Sequence, residues 1–260
     1  LLLLAFSGCS ANAAEPSSTL FLRDQSGKTV ELPKNGLPDS LQPTKMIADQ
    51  QGRIYLLSLD HGLYCREQGS GDWLPLNSPK FKRRGYNGKL DSYRAISAFA
   101  VNPDNNNELA LATKHTLYST KDRGRSWQIK SINGFNSQTY ITALAFYNNR
   151  IICGTSNQGI FELQGQNAVS LGKGIAREPY STTLIFYEEI AQLKRIGKEL
   201  YAVSGFEPQI YRFQSQGRCW QQLSLNLQKL NYQQILDLWL NQDQYALASS
   251  TELLCSSACG

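Results

Sequence analysis

Short apolar runs with period-two alternation recur along the chain, divided by turns rich in Asn, Asp, Gly and Gln. That pattern predicts strands joined as hairpins. Ile141–Phe146 is followed by the turn Tyr147-Asn148-Asn149 and then by Arg150–Gly154. The same pairing occurs at Lys45–Ala48 with Arg53–Leu57, at Ile190–Leu193 with Glu199–Val203, and at Ile235–Trp239 with Gln244–Ala248. Asp49–Gly52, Ile196–Lys198 and Asn241–Asp243 supply the other turns. No run of about 20 apolar residues exists, so no spanning helix is expected.

The hairpins repeat in register. After each pair comes an aromatic or apolar mark, with Gly six residues on and an aromatic nine on in the best copies. Tyr118 has Gly124 and Trp127, and Tyr211 has Gly217 and Trp220. Tyr64 keeps Trp73, Phe21 keeps Gly27 with apolar Val30, Phe161 keeps only its strand, and Leu254 has Gly260. The marks are spaced by 43, 54, 43, 50 and 43 residues. Four-stranded repeats arranged about an axis recur at roughly 40 to 50 residues.

The clearest copy runs from Leu117 to Trp127 and contains Thr120-x-Asp122-x-Gly124-x-Ser126-Trp127. This segment resembles the Asp-box, or BNR repeat, of sialidases, sortilin-type receptors, xyloglucan hydrolases and photosystem assembly factors. The resemblance implies an all-β fold, a β-propeller of four-stranded antiparallel blades. It also gives Thr120, Asp122, Gly124, Ser126 and Trp127 a structural role in the turn between a blade's third and fourth strands. Asp can accept the backbone N–H groups such a turn leaves unpaired, and Gly supplies a conformation bulkier residues avoid. The hydroxyl residue adds a local hydrogen bond, and Trp fills the seam between blades.

In this reading residues 17–260 form the propeller. It comprises a half blade at 19–34, blades at about 43–77, 93–131, 139–172 and 189–224, and a partial blade at 233–260. A closed ring then requires further sequence, and the parent protein is expected to have six or more blades.

Residues 1–16 read as a truncated export signal and tether. Leu1–Phe6 has the character of a leader's apolar core. Phe6-Ser7-Gly8-Cys9 resembles a bacterial lipobox, which implies lipidation at Cys9 and anchoring in a bacterial membrane, periplasmic or at the cell surface. Phe6 stands where the family prefers Leu, and Ala11-Asn12-Ala13 offers an ordinary secretory cleavage site instead. Beyond Cys9 an odd number of cysteines remains, which suggests a free thiol or a partner outside this sequence. Cys255 and Cys259 lack the second ligand pair that zinc needs.

Charge narrows the functional classes. The 260 residues carry 26 Lys+Arg and 21 Asp+Glu, a net +5 too mild to suggest nucleic acid. Propellers bind in the loops around their central funnel. Two loops stretch the spacings of 54 and 50, and insertions on repeat scaffolds often mark the binding face. One holds Lys82, Arg83, Arg84, Tyr86 and Arg94, the other Arg177 and Tyr187. Basic residues among aromatics suit an acidic protein surface or an anionic glycan.

His61 and His115 occupy equivalent loops three residues before their marks, at a position that favours turn-tolerant residues, and no metal or cofactor is expected. A non-catalytic binding or scaffold protein is the leading expectation. A sialidase-type hydrolase is the alternative, with Arg94, Arg177, Tyr187, Glu188 and Asp91 of suitable type. The Arg-Ile-Pro motif preceding the first blade of that family is replaced by Leu22-Arg23-Asp24, and no catalytic residue is assigned. An assembly factor resembling those of photosystem II shares the overall plan.

Overall fold

The computed structural model describes residues 2–7, 18–23, 29–41, 43–49, 51–58, 61–76, 83–84, 90–91, 96–179, 185–187, 189–205, 208–225, 227, 235–241, 244–249 and 253–255. All of its regular structure among these residues is β. Blade I comprises β1 (Leu2–Ser7), β2 (Ser18–Arg23) and β3 (Thr29–Glu31). Blade II comprises β4 (Pro43–Ala48), β5 (Ile54–Ser58), β6 (Gly62–Arg66) and β7 (Leu74–Pro75). A small hairpin follows, β8 (Arg83–Arg84) with β9 (Leu90–Asp91).

Blade III holds β10 (Ala98–Val101), β11 (Leu109–Thr113), β12 (Thr116–Thr120) and β13 (Gln128–Ser131). Blade IV holds β14 (Ile141–Tyr147), β15 (Arg150–Thr155), β16 (Ile160–Gln164) and β17 (Asn167–Ser170). A second hairpin joins β18 (Arg177–Pro179) to β19 (Ile185–Tyr187). Blade V holds β20 (Ile190–Ile196), β21 (Glu199–Ser204), β22 (Ile210–Gln214) and β23 (Cys219–Gln222). Blade VI holds β24 (Ile235–Asn241), β25 (Gln244–Ser249) and β26 (Leu253–Cys255).

Each sheet is an antiparallel meander in sequence order. Consecutive blades touch through β4 and β10, β10 and β14, β14 and β20, and β20 and β24, while β1 touches both β24 and β4. The arrangement is a β-propeller.

Five apolar clusters fill the seams between successive blades. Leu20 and Leu32 of the blade I side meet Ile54, Leu56 and Trp73 of blade II. Tyr55, Leu57 and Leu63 meet Phe99, Leu109 and Leu111 between blades II and III. Equivalent layers lie between III and IV, between IV and V, and between V and VI. Strands buried on both faces explain why β5 and β11 read as nearly continuous apolar runs.

Three seams carry the same fastening. The Trp73 N–H donates to the Asn35 carbonyl, and the Trp220 N–H to the Lys173 carbonyl, each at 2.8 Å. The indoles reach the same side, Trp73 Nε1 to the Pro33 carbonyl at 2.8 Å and Trp220 Nε1 to the Leu171 carbonyl at 2.7 Å. At the seam between III and IV, Ala168 takes the Trp position and donates to the Asn133 carbonyl at 3.1 Å. A glycine with positive φ follows each accepting residue: Gly36 at 84°, Gly134 at 100° and Gly174 at 92°.

Two expectations are corrected. The segment 19–34 is not limited to two strands, because Leu2–Ser7 pairs along β2 from Leu2↔Arg23 to Ser7↔Ser18. A leader's apolar core and a strand share one signature, a short apolar run, and here that run pairs along the axis-side edge of β2. Arg83 and Arg84, expected in a loop without strand, pair with Asp91 and Leu90. A two-residue ladder is too short to leave an alternation in the sequence. Cys9 and the segment 8–17 lie outside the described residues.

Candidate functional site

Strand polarity defines the two ends of the propeller axis. Inner strands start at the end reached by the fourth-to-first connections, where both inserted hairpins sit. The first-to-second and third-to-fourth turns occupy the opposite end. The inner strands β4, β10, β14, β20 and β24 line a channel of about 520 Å³ between the two.

A repeated bulge decides what enters that channel. The ladder between first and second strands shifts register between Pro43 and Lys45, Ile141 and Ala143, Ile190 and Gln192, and Ile235 and Asp237. One extra residue in a strand re-aims the side chains that follow it. Lys45, Gln192 and Asp237, each directly after a bulge, line the channel. Ala143, at the same position, is instead buried in the seam between blades IV and V.

The charges of the channel are matched almost pair by pair. Lys194 Nζ donates to Asp237 Oδ1, joining blade V to blade VI. Arg195 forms an ion pair with Asp104 of blade III at the end opposite the hairpins. Asp49, at the end of β4, is held by Arg53 Nε at 2.7 Å and also accepts from the Tyr55 hydroxyl at 3.4 Å. Lys45 is the channel cation left without a hydrogen bond or ion pair among the described residues. Burial is the main cause that lowers its ammonium pKa to about 8; Asp237 pushes it up and Lys194 pushes it down further.

The turn from Thr120 to Trp127 lies at the end away from the hairpins, where Arg123 donates to the Asn107 carbonyl at 2.9 Å. Its geometry is structural. Asp122 Oδ1 accepts from the Ser126 N–H at 2.9 Å and from the Thr120 hydroxyl at 2.6 Å, and Oδ2 accepts from the Ser126 hydroxyl at 2.5 Å. Thr120 Oγ1 in turn accepts from the Gly124 N–H at 2.9 Å. These bonds, the Ser126 hydroxyl first, hold the Asp122 carboxyl down at about 2. Gly124 has φ of 83°, and Trp127 donates to its carbonyl at 3.2 Å while packing on the seam between blades II and III.

The expected binding residues fall partly inside the described structure. Arg83 and Arg84 are on β8, and Arg177 and Tyr187 are backbone partners in the β18–β19 ladder. Lys82, Tyr86 and Arg94 lie outside the described residues, as does Glu188. His61 Nε2 approaches Ser40 Oγ at 3.3 Å, and His115 Nε2 meets the Thr139 carbonyl. Among the described residues no group of three or more His, Cys, Asp or Glu is placed to hold a metal ion. Cys65, Cys153 and Cys219 are free thiols; burial raises the first to about 12 and the second higher still.

Lys45, Lys194 and Asp237 were missed as site residues by the sequence reading, although Lys45 and Asp237 lie in strands it identified and Lys194 directly follows one. The available signal was a charge interrupting an apolar inner strand, as in Ile235-Leu236-Asp237-Leu238-Trp239.

No protein-family model and no curated protein matches the sequence. Solved structures do resemble it. A gluconolactonase-type protein aligns with a TM-score of 0.56 and 12% identity over 92% of this chain and 80% of its own. YCF48 from Cyanidioschyzon merolae aligns with a TM-score of 0.52 and 12% identity, over 91% and 76% of the two chains. An ancestral GH74 enzyme gives 0.50 and 13% identity over 94% of this chain, which spans about a third (34%) of that enzyme. At such identities the likeness establishes the β-propeller fold alone.

Proposed function

We propose that this chain is a non-catalytic binding propeller, exported and anchored through lipid on Cys9, that meets an anionic partner at its hairpin-bearing end. One observation carries the non-catalytic reading. Among the described residues, the two carboxylates lining the channel are engaged by cations of this chain, Asp237 by Lys194 and Asp49 by Arg53. Glycoside hydrolysis requires a protonated acid and a second carboxylate free to act on the substrate. A carboxylate held by a cation within its own protein favours its charged form and is a poor proton donor. The partner is an acidic protein surface or an anionic glycan, drawn by Lys82, Arg83, Arg84 and Arg94 around β8–β9 and by Arg177 on β18.

Cleavage before Cys9 removes β1, the strand that touches both β24 and β4, and leaves the axis-side edge of β2 unpaired.

The test is a screen of the purified protein against fluorogenic sialosides and glucans. No hydrolysis above the buffer rate is expected. Turnover that disappears in Asp237→Asn overturns the reading in favour of a sialidase-type enzyme.

A further inference from the structure

We propose that the hairpin-side half of the channel is a binding site for a small organic carboxylate, with Lys45 as its charged anchor. The site requires neither the lipid anchor nor the partner surface on the hairpins.

Three observations converge on it. The cavity, about 520 Å³, has the size of small-molecule pockets and is open along the propeller axis. Its walls combine Ile47, Ala100, Ala145 and Ile196 with a polar group of Lys45, Gln192, Lys194 and Asp237. Apolar walls with a few convergent polar groups are what a ligand with one charged end and an aliphatic or aromatic body needs.

The second observation is the charge pattern. Lys194, Arg195 and Arg53 each have a carboxylate of this chain, at Asp237, Asp104 and Asp49. Among the described residues Lys45 alone of the cations lining the channel forms no hydrogen bond or ion pair with a carboxylate, and the carboxylate that acts on it, Asp237, is already bound by Lys194. A half-buried ammonium without a partner is costly, and an incoming carboxylate removes that cost while gaining a charge-assisted hydrogen bond.

The third is the neighbourhood of Lys45, which sets both ligand charge and pH response. Lys194 on β20 and Asp237 on β24 act on it across the channel, with Asp49 farther along β4 and Arg195 near the opposite end. Asp237 stands near enough to disfavour a dianion, and a single unmatched cation suits a monoanion. Because burial and Lys194 lower the ammonium pKa to about 8, a bound anion restores the charged form and draws in a proton.

Isothermal titration calorimetry of the full chain with isobutyrate and with benzoate tests this, with inorganic phosphate as a parallel arm. Titrations at pH 8 in two buffers of different ionisation heat count the protons taken up. The expected result is carboxylate binding with uptake of up to about half a proton. Affinity should then fall toward about tenfold per pH unit above the Lys45 pKa. Lys45→Met should abolish binding with an unchanged circular dichroism spectrum, since it removes a charge from a half-buried place. Lys45→Arg should keep binding and lose the proton uptake, because its guanidinium stays charged. Absence of carboxylate binding, unchanged binding in Lys45→Met, unchanged uptake in Lys45→Arg, or tighter binding of phosphate than of either carboxylate overturns the proposal.

Discussion

A β-carbon added to Gly174 would stand 2.1 Å from the carbonyl oxygen of Trp220, across the seam between blades IV and V. Gly36 has the same relation to Trp73, at 2.3 Å, between blades I and II. The two turns therefore have no room for a side chain, besides requiring a positive φ. Gly174→Ala and Gly36→Ala should each cost about 2 kcal/mol or more, from clash added to left-handed strain. Gly165→Ala, at φ of 67° with nothing within 4 Å, should cost only about 1 kcal/mol. Urea denaturation of the three variants gives the comparison; equal losses would show that strain alone matters.

The indole N–H groups of Trp220 and Trp127 should be separable from their bulk. Trp220→Phe retains an aromatic ring but leaves the buried Leu171 carbonyl without its 2.7 Å donor. An unsatisfied buried acceptor costs about 1–3 kcal/mol. Trp127→Phe should cost less, since its indole donates at 3.2 Å within its own turn. The ranking is read from midpoints of chemical denaturation.

The Asp122 turn makes a prediction about acid. Its carboxyl is depressed from 3.8 to about 2 in the fold, so the folded protein binds the proton less readily than the unfolded chain. The resulting stabilisation is fully present above about pH 4 and is lost as pH falls through about 2. Asp122→Asn should flatten that part of the stability profile. Thermal melts of both proteins between pH 5 and 2 check it, and parallel profiles would refute it.

Much of this fold was legible because its repeat is carried by large residues with strict jobs. Trp73, Trp127 and Trp220 fall nine residues after Tyr64, Tyr118 and Tyr211 because each closes a third-to-fourth turn onto a seam. Ala168 escaped that pattern, since the short turn at Gly165 brings β17 to the seam two residues earlier. The channel cluster was hidden for a different reason. Lys45 and Asp237 come from inner strands of blades II and VI, nearly two hundred residues apart, and only ring geometry together with the bulges brings them to one cavity. The hairpins were legible as insertions in the spacing, whereas their ladders were too short to announce themselves.

The basic hairpin should act through charge. Replacing Lys82, Arg83 and Arg84 with Ala leaves the backbone pairing of Arg83 with Asp91 available, so the melting temperature should be unchanged. Retention on an immobilised anionic glycan at low salt should fall several-fold, and the difference should vanish as salt screens the parent's attraction. Equal retention of parent and variant at low salt would remove this hairpin from the binding surface.

Membrane attachment should depend on a single atom. In a bacterial export host, Cys9→Ser should move the protein from the detergent phase to the aqueous phase in a phase-separation assay, because serine lacks the sulfur that carries the lipid. Unchanged partitioning would end the lipoprotein reading.

The bulge repeated in four inner strands separates two kinds of evolutionary change. By absorbing the register shift within one residue, it leaves the buried Leu144, Leu193 and Leu238 committed to stability while turning positions 45, 192 and 237 to another task. Substitutions at those slots can exchange one guest for another without reopening the problem of how the ring is assembled. A lineage built on this plan is free to diversify what it holds faster than how it folds.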